Sequence, residues 1–216
     1  MPLRLFPATS WRTLAALFAL SAGAFAEPIY SNDFEKAEVE TAPADFMVMS
    51  GTFTVKQEEG NRFLELPGAP LDTFGLLFGP AQEGGASATA RFFGTKQGRK
   101  MPTFGLSLNG VGGYRLQVSP GKKALELYKG DEVLGAVPWE WVSGSWTRLR
   151  LQVRKAGDAM WVVEGKAWPD GQPEPAKWTI KLDEKGELSP GRPGIWGSPY
   201  SGTPIRFDDL SLSPAS

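Results

Sequence analysis

Hydrophobic and polar residues alternate with a period of two in many short stretches of this chain, and that period belongs to strands with one buried face. The pattern is plainest in Arg148-Leu149-Arg150-Leu151-Gln152-Val153-Arg154, where successive side chains must point to opposite sides of a sheet. Leu149, Leu151 and Val153 are predicted to face a core, with Arg148, Arg150, Gln152 and Arg154 on a solvated outer face. The same alternation predicts strands over 52–55, 62–66, 88–93, 103–108, 114–118, 124–128, 148–153 and 161–166. Within two of these, Arg115 and Gln117 alternate with Leu116 and Val118, and Glu126 and Tyr128 with Leu125 and Leu127. Glycines and prolines such as Gly60, Gly84, Gly85, Gly112, Gly113 and Pro120 punctuate the stretches between. Beyond residue 26 no window carries capped, helix-period apolar spacing for more than about three turns, so helices should be short and peripheral. Many short strands separated by turn chemistry predict an all-β protein, a two-sheet antiparallel β-sandwich occupying 27–216 as one domain.

Residues 1–26 are set apart from that pattern. Arg4 and Arg12 precede an apolar run from Thr13 to Leu20, and small residues follow up to Ala26. Basic, apolar and small in that order predicts a secretory signal peptide cut after Ala26, since the apolar core is shorter than the roughly 20 residues a membrane span requires. The mature chain is then expected in the periplasm or outside the cell, with no membrane span left in it. It contains no cysteine and no histidine. Packing rather than disulfides must hold it together, and Ser-His-Asp triads, cysteine nucleophiles and ordinary zinc sites are excluded. Charge changes the picture little: the chain has 23 basic and 24 acidic residues, and loss of Arg4 and Arg12 leaves 21 bases. No basic run supplies the concentrated patch that nucleic-acid binding needs.

Several segments resemble concanavalin A-like lectin and glucanase domains, including the LamG-like jelly rolls. Tyr30-Ser31-Asn32-Asp33-Phe34-Glu35 and Ile205-Arg206-Phe207-Asp208-Asp209-Leu210-Ser211-Leu212 are similar to their opening Phe-Glu strand and closing Asp-Asp strand. Trp146-Thr147-Arg148-Leu149-Arg150-Leu151 looks like the Trp-led strand of that core, and the loop from Trp168-Pro169 to Trp178 is similar to one seen in extracellular members. The resemblance implies a jelly-roll fold whose first and last strands pair, and glycan as the ligand class. It also implies a structural calcium held by acids at the two ends of the chain, which carried onto this sequence gives Asp33 or Glu35 with Asp208.

The candidate chemistry follows from these placements. Laminarinase-type members carry a strand with closely spaced carboxylates, and that motif is missing; Asp183-Glu184-Lys185-Gly186-Glu187, the nearest string, is expected to be an exposed turn. Alginate-lyase-like members use Arg, Gln, His and Tyr on the concave sheet, and this chain offers Arg115, Gln117, Tyr128, Arg148, Arg150 and Gln152 without the histidine. Arg115 and Arg150 are candidates to line a groove for sugar hydroxyls or carboxylates. Seven of the eight tryptophans lie between Trp139 and Trp196. Trp146 and Trp161 are expected in the core, whereas Trp139, Trp141, Trp168, Trp178 and Trp196 sit near Pro or Gly, where an indole can stack on a sugar. The expected function is a secreted, non-catalytic carbohydrate-binding module. The alternatives are a polysaccharide hydrolase or lyase using Arg, Gln and Tyr on the concave sheet, and a structural or adhesive domain without ligand.

Overall fold

Alternating side chains can be buried on one face only if a second layer covers that face, and the chain supplies two layers. The computed structural model describes residues 27–216; the predicted signal peptide lies outside the described residues. The first strands are β1 (Tyr30–Asn32), β2 (Met47–Ser50), β3 (Thr54–Glu58), β4 (Asn61–Leu66) and β5 (Phe74–Leu77). The middle of the chain forms β6 (Ala86–Phe93), β7 (Thr103–Leu108), β8 (Tyr114–Ser119), β9 (Ala124–Lys129) and β10 (Glu132–Pro138). The last third forms β11 (Thr147–Gly157), β12 (Met160–Pro169), β13 (Ile180–Lys185), β14 (Gly194–Ser198) and β15 (Ile205–Pro214). Among the described residues the only helical element is a single turn at Pro120–Lys122.

Eight strands form one antiparallel sheet in the order β13-β12-β11-β6-β15-β4-β3, with β1 also on β15. Seven form the other, β10-β9-β8-β7-β14-β5-β2. The result is an antiparallel jelly-roll sandwich, and all eight predicted strands are present in it. The expected meeting of the chain ends is also present, with Tyr30 opposite Leu212 and Asn32 opposite Leu210.

Phe92 of β6 and Phe104 of β7 stack across the two layers at 5.3 Å between ring centroids, and Phe207 of β15 meets Phe92 edge-on at 5.5 Å. These rings sit in a core that includes Leu116, Leu125, Leu127, Leu149, Leu151 and Val153, all fully buried. The β3–β4 hairpin closes through Glu59 and Gly60, both at positive φ, which is the two-residue turn that matches the twist of its strands.

One expectation needs correction: the string 183–187 is not wholly a turn, because Asp183 and Glu184 lie in β13 opposite Val162 and Trp161. Ile180, which is buried, anchors that strand on β12.

Candidate functional site

The two outer faces of the sandwich have different chemistry. On the eight-stranded sheet most of the arginines are neutralised from within. Arg91 reaches Asp208 at 2.6 Å and Asp170 at 3.3 Å, and Arg148 reaches Asp170 and, at 2.7 Å, Asp209. Arg150 and Lys166 both bind Glu174, at 2.9 and 2.6 Å, while Arg154 and Lys181 bind Glu164. Trp178 belongs to this lattice, with the Lys166 ammonium 4.5 Å and the Arg150 guanidinium 5.7 Å from its ring centroid. The expected solvated face is therefore an ion-pair lattice, and Gln152, which bonds to Glu164, is buried within it. A hollow of about 920 Å³ lies under the segment between β1 and β2, but its Arg148 and Asp209 bind each other.

On the seven-stranded sheet, register brings a different set together. Across β5, β14, β7, β8 and β9 one row runs Gly75, Trp196, Gly105, Gln117, Glu126. The next row runs Leu77, Gly194, Ser107, Arg115, Tyr128. The glycines make space for the single large ring among them. A Cβ on Gly105 would stand 2.6 Å from Trp196 Nε1, so the indole passes over a position that only glycine leaves open. Trp196 thereby reaches the Arg115 guanidinium, which lies 4.7 Å from its ring centroid and 4.5 Å from that of Tyr128. A cation between two aromatic rings is attracted to both π faces and fixed in orientation.

Beside the guanidinium, Glu126 gathers four donors. Lys122 Nζ donates to it at 2.8 Å, the Tyr128 hydroxyl at 3.1 Å, Gln117 Nε2 at 3.3 Å and the Ser119 hydroxyl at 2.5 Å. Burial pushes the Glu126 carboxyl up, but the bonds from Lys122, Ser119 and Tyr128 outweigh it and hold it below the usual glutamate range. Burial and the neighbouring Glu126 charge raise the Tyr128 phenol, which stays protonated and donates. Two buried donors on this face, Arg115 Nε and Trp196 Nε1, have no hydrogen-bond partner. Both residues border a cavity of about 130 Å³ that Met49, Leu77, Ser107 and Val111 complete, with Met49 and Val111 exposed on its rim. The face can thus offer the Arg115 guanidinium, an indole and apolar contacts, with Glu126 satisfied beside them, and that is a mixture a sugar ring can use.

The residues proposed from sequence divide between these faces. Arg115, Gln117 and Tyr128 come together on the seven-stranded sheet. Arg148 and Arg150 lie on the opposite outer face, so the shared groove expected for Arg115 and Arg150 does not form. Trp168 is buried, and Trp139 and Trp141 pack against the core, Trp141 edge-on to Phe104 at 6.2 Å. Only Trp196 of the five joins the cluster. Glu126, Ser107 and Gly105 had no place in the sequence-based site, although glycines inside strands 103–108 and 194–198 were a signal of close approach.

The acids proposed for calcium do not gather. Asp208 accepts from Arg91 and, at 2.9 Å, from Asn61; Glu35 accepts the Arg62 amide, and Asp33 the Glu35 amide. Among the described residues no group of three or more acids is placed to hold a metal ion. The residues present do not fit the implied calcium, since Asp208 serves as the buried counter-ion of Arg91.

No protein-family model matches the sequence, and no curated protein matches it. Solved structures do match. The carbohydrate recognition domain of Emp46p, in its metal-free form, is similar at TM-score 0.63 and 13% identity, covering 89% of this chain and 99% of that one. The carbohydrate-binding module CBM66 from Bacillus subtilis is similar at TM-score 0.52 and 11% identity, covering 78% of this chain and 95% of that one. A marine PL-14 alginate lyase from Aplysia kurodai is similar at TM-score 0.52 and 10% identity, covering 88% of this chain and 100% of that one. The class is the concanavalin A-like jelly roll, and it is the fold that this likeness shows.

Proposed function

We propose that this chain is an exported, non-catalytic carbohydrate-binding domain whose ligand lies across β14, β7, β8 and β9 of the seven-stranded sheet. The observation that carries the reading is the Trp196–Arg115–Tyr128 stack, whose indole and guanidinium each keep a buried N–H without a partner, with Trp196 and Arg115 bordering an apolar-rimmed cavity. Buried donors without partners are costly in a folded protein and are rarely kept without a use. The structural neighbours named as a carbohydrate recognition domain and a carbohydrate-binding module support the same ligand class at the level of fold. Export rests on the basic, apolar and small order of residues 1–26. Among the described residues no helix is long and apolar enough to cross a membrane.

Binding without bond cleavage is supported by the hydrogen bonding of Tyr128 and Glu126. A lyase needs a base, and Tyr128 is tied as a donor to Glu126 with its phenol raised. A glycosidase needs a protonated acid beside its carboxylate, and Glu126 is held ionised by four donors. The test is a panel of alginate, polygalacturonate, xylan and laminarin, read for retention of the protein and for release of reducing or unsaturated ends. Retention by at least one polymer with no new ends is the expected result. New ends would establish the enzyme, and neither retention nor ends would leave a structural or adhesive domain.

A further inference from the structure

Arg115 is unlike the arginines of the other face. Arg91, Arg148, Arg150, Arg154 and Arg206 each hold a carboxylate within salt-bridge distance. Arg62 and Arg192 donate to backbone carbonyls. Arg115 does neither: among the described residues its side chain forms no ion pair and donates no hydrogen bond, as is true also of the exposed Arg99. Arg115, however, has its Nε enclosed, and unlike the enclosed Arg91 Nε it has no carboxylate beside it. Burial lowers its proton affinity from the ordinary arginine value, and Asp131 and Glu126 act on it through charge without a bond to it. A guanidinium remains charged in a protein whatever its surroundings and presents its donors as a planar fork. Holding such a cation half out of water without an anion is unfavourable, and an oxyanion placed on the fork would relieve it with charge-assisted bonds.

We infer that the ligand of this face is an acidic glycan, one whose repeating unit carries an oxyanion seated on the Arg115 fork in the cavity between Ser107, Val111 and Trp196. This deepens the carbohydrate-binding reading and rests on it. The cavity of about 130 Å³ has room for roughly four waters, enough for a carboxylate or sulfate group and the ring edge that bears it. The aromatic rings on either side hold the fork in place, so little orientation is lost on binding. The chain as a whole is slightly acidic, at a net charge of −1, so retention by a polyanion would not follow from its overall charge.

The experiment compares polygalacturonate with the same polymer after reduction of its carboxyl groups, and dextran sulfate with dextran, by affinity electrophoresis and titration. The intact protein should bind one charged polymer at least tenfold more tightly than its neutral partner, and the preferred pair distinguishes carboxylate from sulfate. Arg115→Gln should lower the affinity for the charged polymer far more than that for the neutral one and so abolish the preference between them, with Arg115→Lys intermediate. The polymer comparison needs no variant, so a folding defect in Arg115→Gln cannot obscure the outcome. Equal affinity for charged and neutral polymers would overturn the acidic-glycan inference and leave glycan binding standing. Failure to bind any of the four, together with failure on the xylan and laminarin of the panel above, would overturn both.

Discussion

Trp196→Ala should lower the affinity for whichever polymer of the panel is retained by tenfold or more, the loss expected when an aromatic anchor at the centre of a contact is removed. The indole does three things at once. It supplies an apolar surface, it carries an N–H with no partner, and it forms one wall of the Arg115 stack. Because Trp196 is half-buried on an outer face rather than in the core, the fold should survive the change, at a cost of no more than about 2 kcal/mol. Titration of the variant beside the parent measures the first effect, and urea unfolding measures the second. Trp178→Ala is the matched control. That ring lies on the opposite face under Lys166 and Arg150, so its removal should leave polysaccharide affinity unchanged. Loss of binding in Trp178→Ala with retention in Trp196→Ala would place the ligand on the wrong side of the molecule for this assignment.

The largest effect on stability should come from Arg91→Met, at about 3–5 kcal/mol. Asp208 is fully buried and accepts from Arg91 at 2.6 Å and Asn61 at 2.9 Å. Methionine keeps much of the volume but removes the counter-charge, which leaves a carboxylate in the interior with one neutral donor side chain. Adding Asp208→Asn to the same chain should recover a large part of the loss, since no buried charge then remains. Urea midpoints of the parent, both single variants and the double variant form the cycle that reads this coupling. A double variant no more stable than Arg91→Met would show that the pair is not the source of the effect.

The same lattice gives the protein its acid sensitivity. Burial pushes the carboxyls of Asp170, Glu164 and Glu174 up, but bonds from Arg148, from Arg154 and Gln152, and from Lys166 and Arg150 outweigh it and hold all three below their ordinary values. A carboxyl depressed in the folded state contributes stability that is complete above its unfolded value of about 4 and lost as pH falls through the folded one. Asp208 acts in the opposite sense, because burial raises it and the folded state holds its proton more readily. With three lattice acids against one, melting temperature should fall as pH drops below about 4.

Much of the fold was legible because alternation reports which side chains point inward. Arg148 to Val153 and Tyr114 to Val118 read correctly for that reason, and so did the meeting of Tyr30 with Leu212. The same signal cannot say which of two layers a strand joins. Arg115 and Arg150 therefore looked alike in the sequence, although they lie on opposite outer faces. Strands that draw their stability from their neighbours were hidden too. β14 holds two glycines in Gly-Ile-Trp-Gly-Ser, and β2 exposes Met47, Val48 and Met49 at the sheet edge, so neither carries a propensity or a pattern of its own. The tryptophans misled for a related reason: nearness to Pro or Gly marks a chain turn, not exposure, and Trp168 turns away from solvent at the end of β12.

The placement of the ligand on the seven-stranded sheet is tested most directly by titrating ¹⁵N-labelled protein with polygalacturonate, alginate and xylan oligosaccharides and following the indole and guanidinium N–H signals. Binding at this face predicts saturable shifts of Trp196 Nε1–H and Arg115 Nε–H, with Trp178 Nε1–H unmoved. Shifts confined to Arg148, Arg150 and Trp178, or none with any of the three, would contradict it.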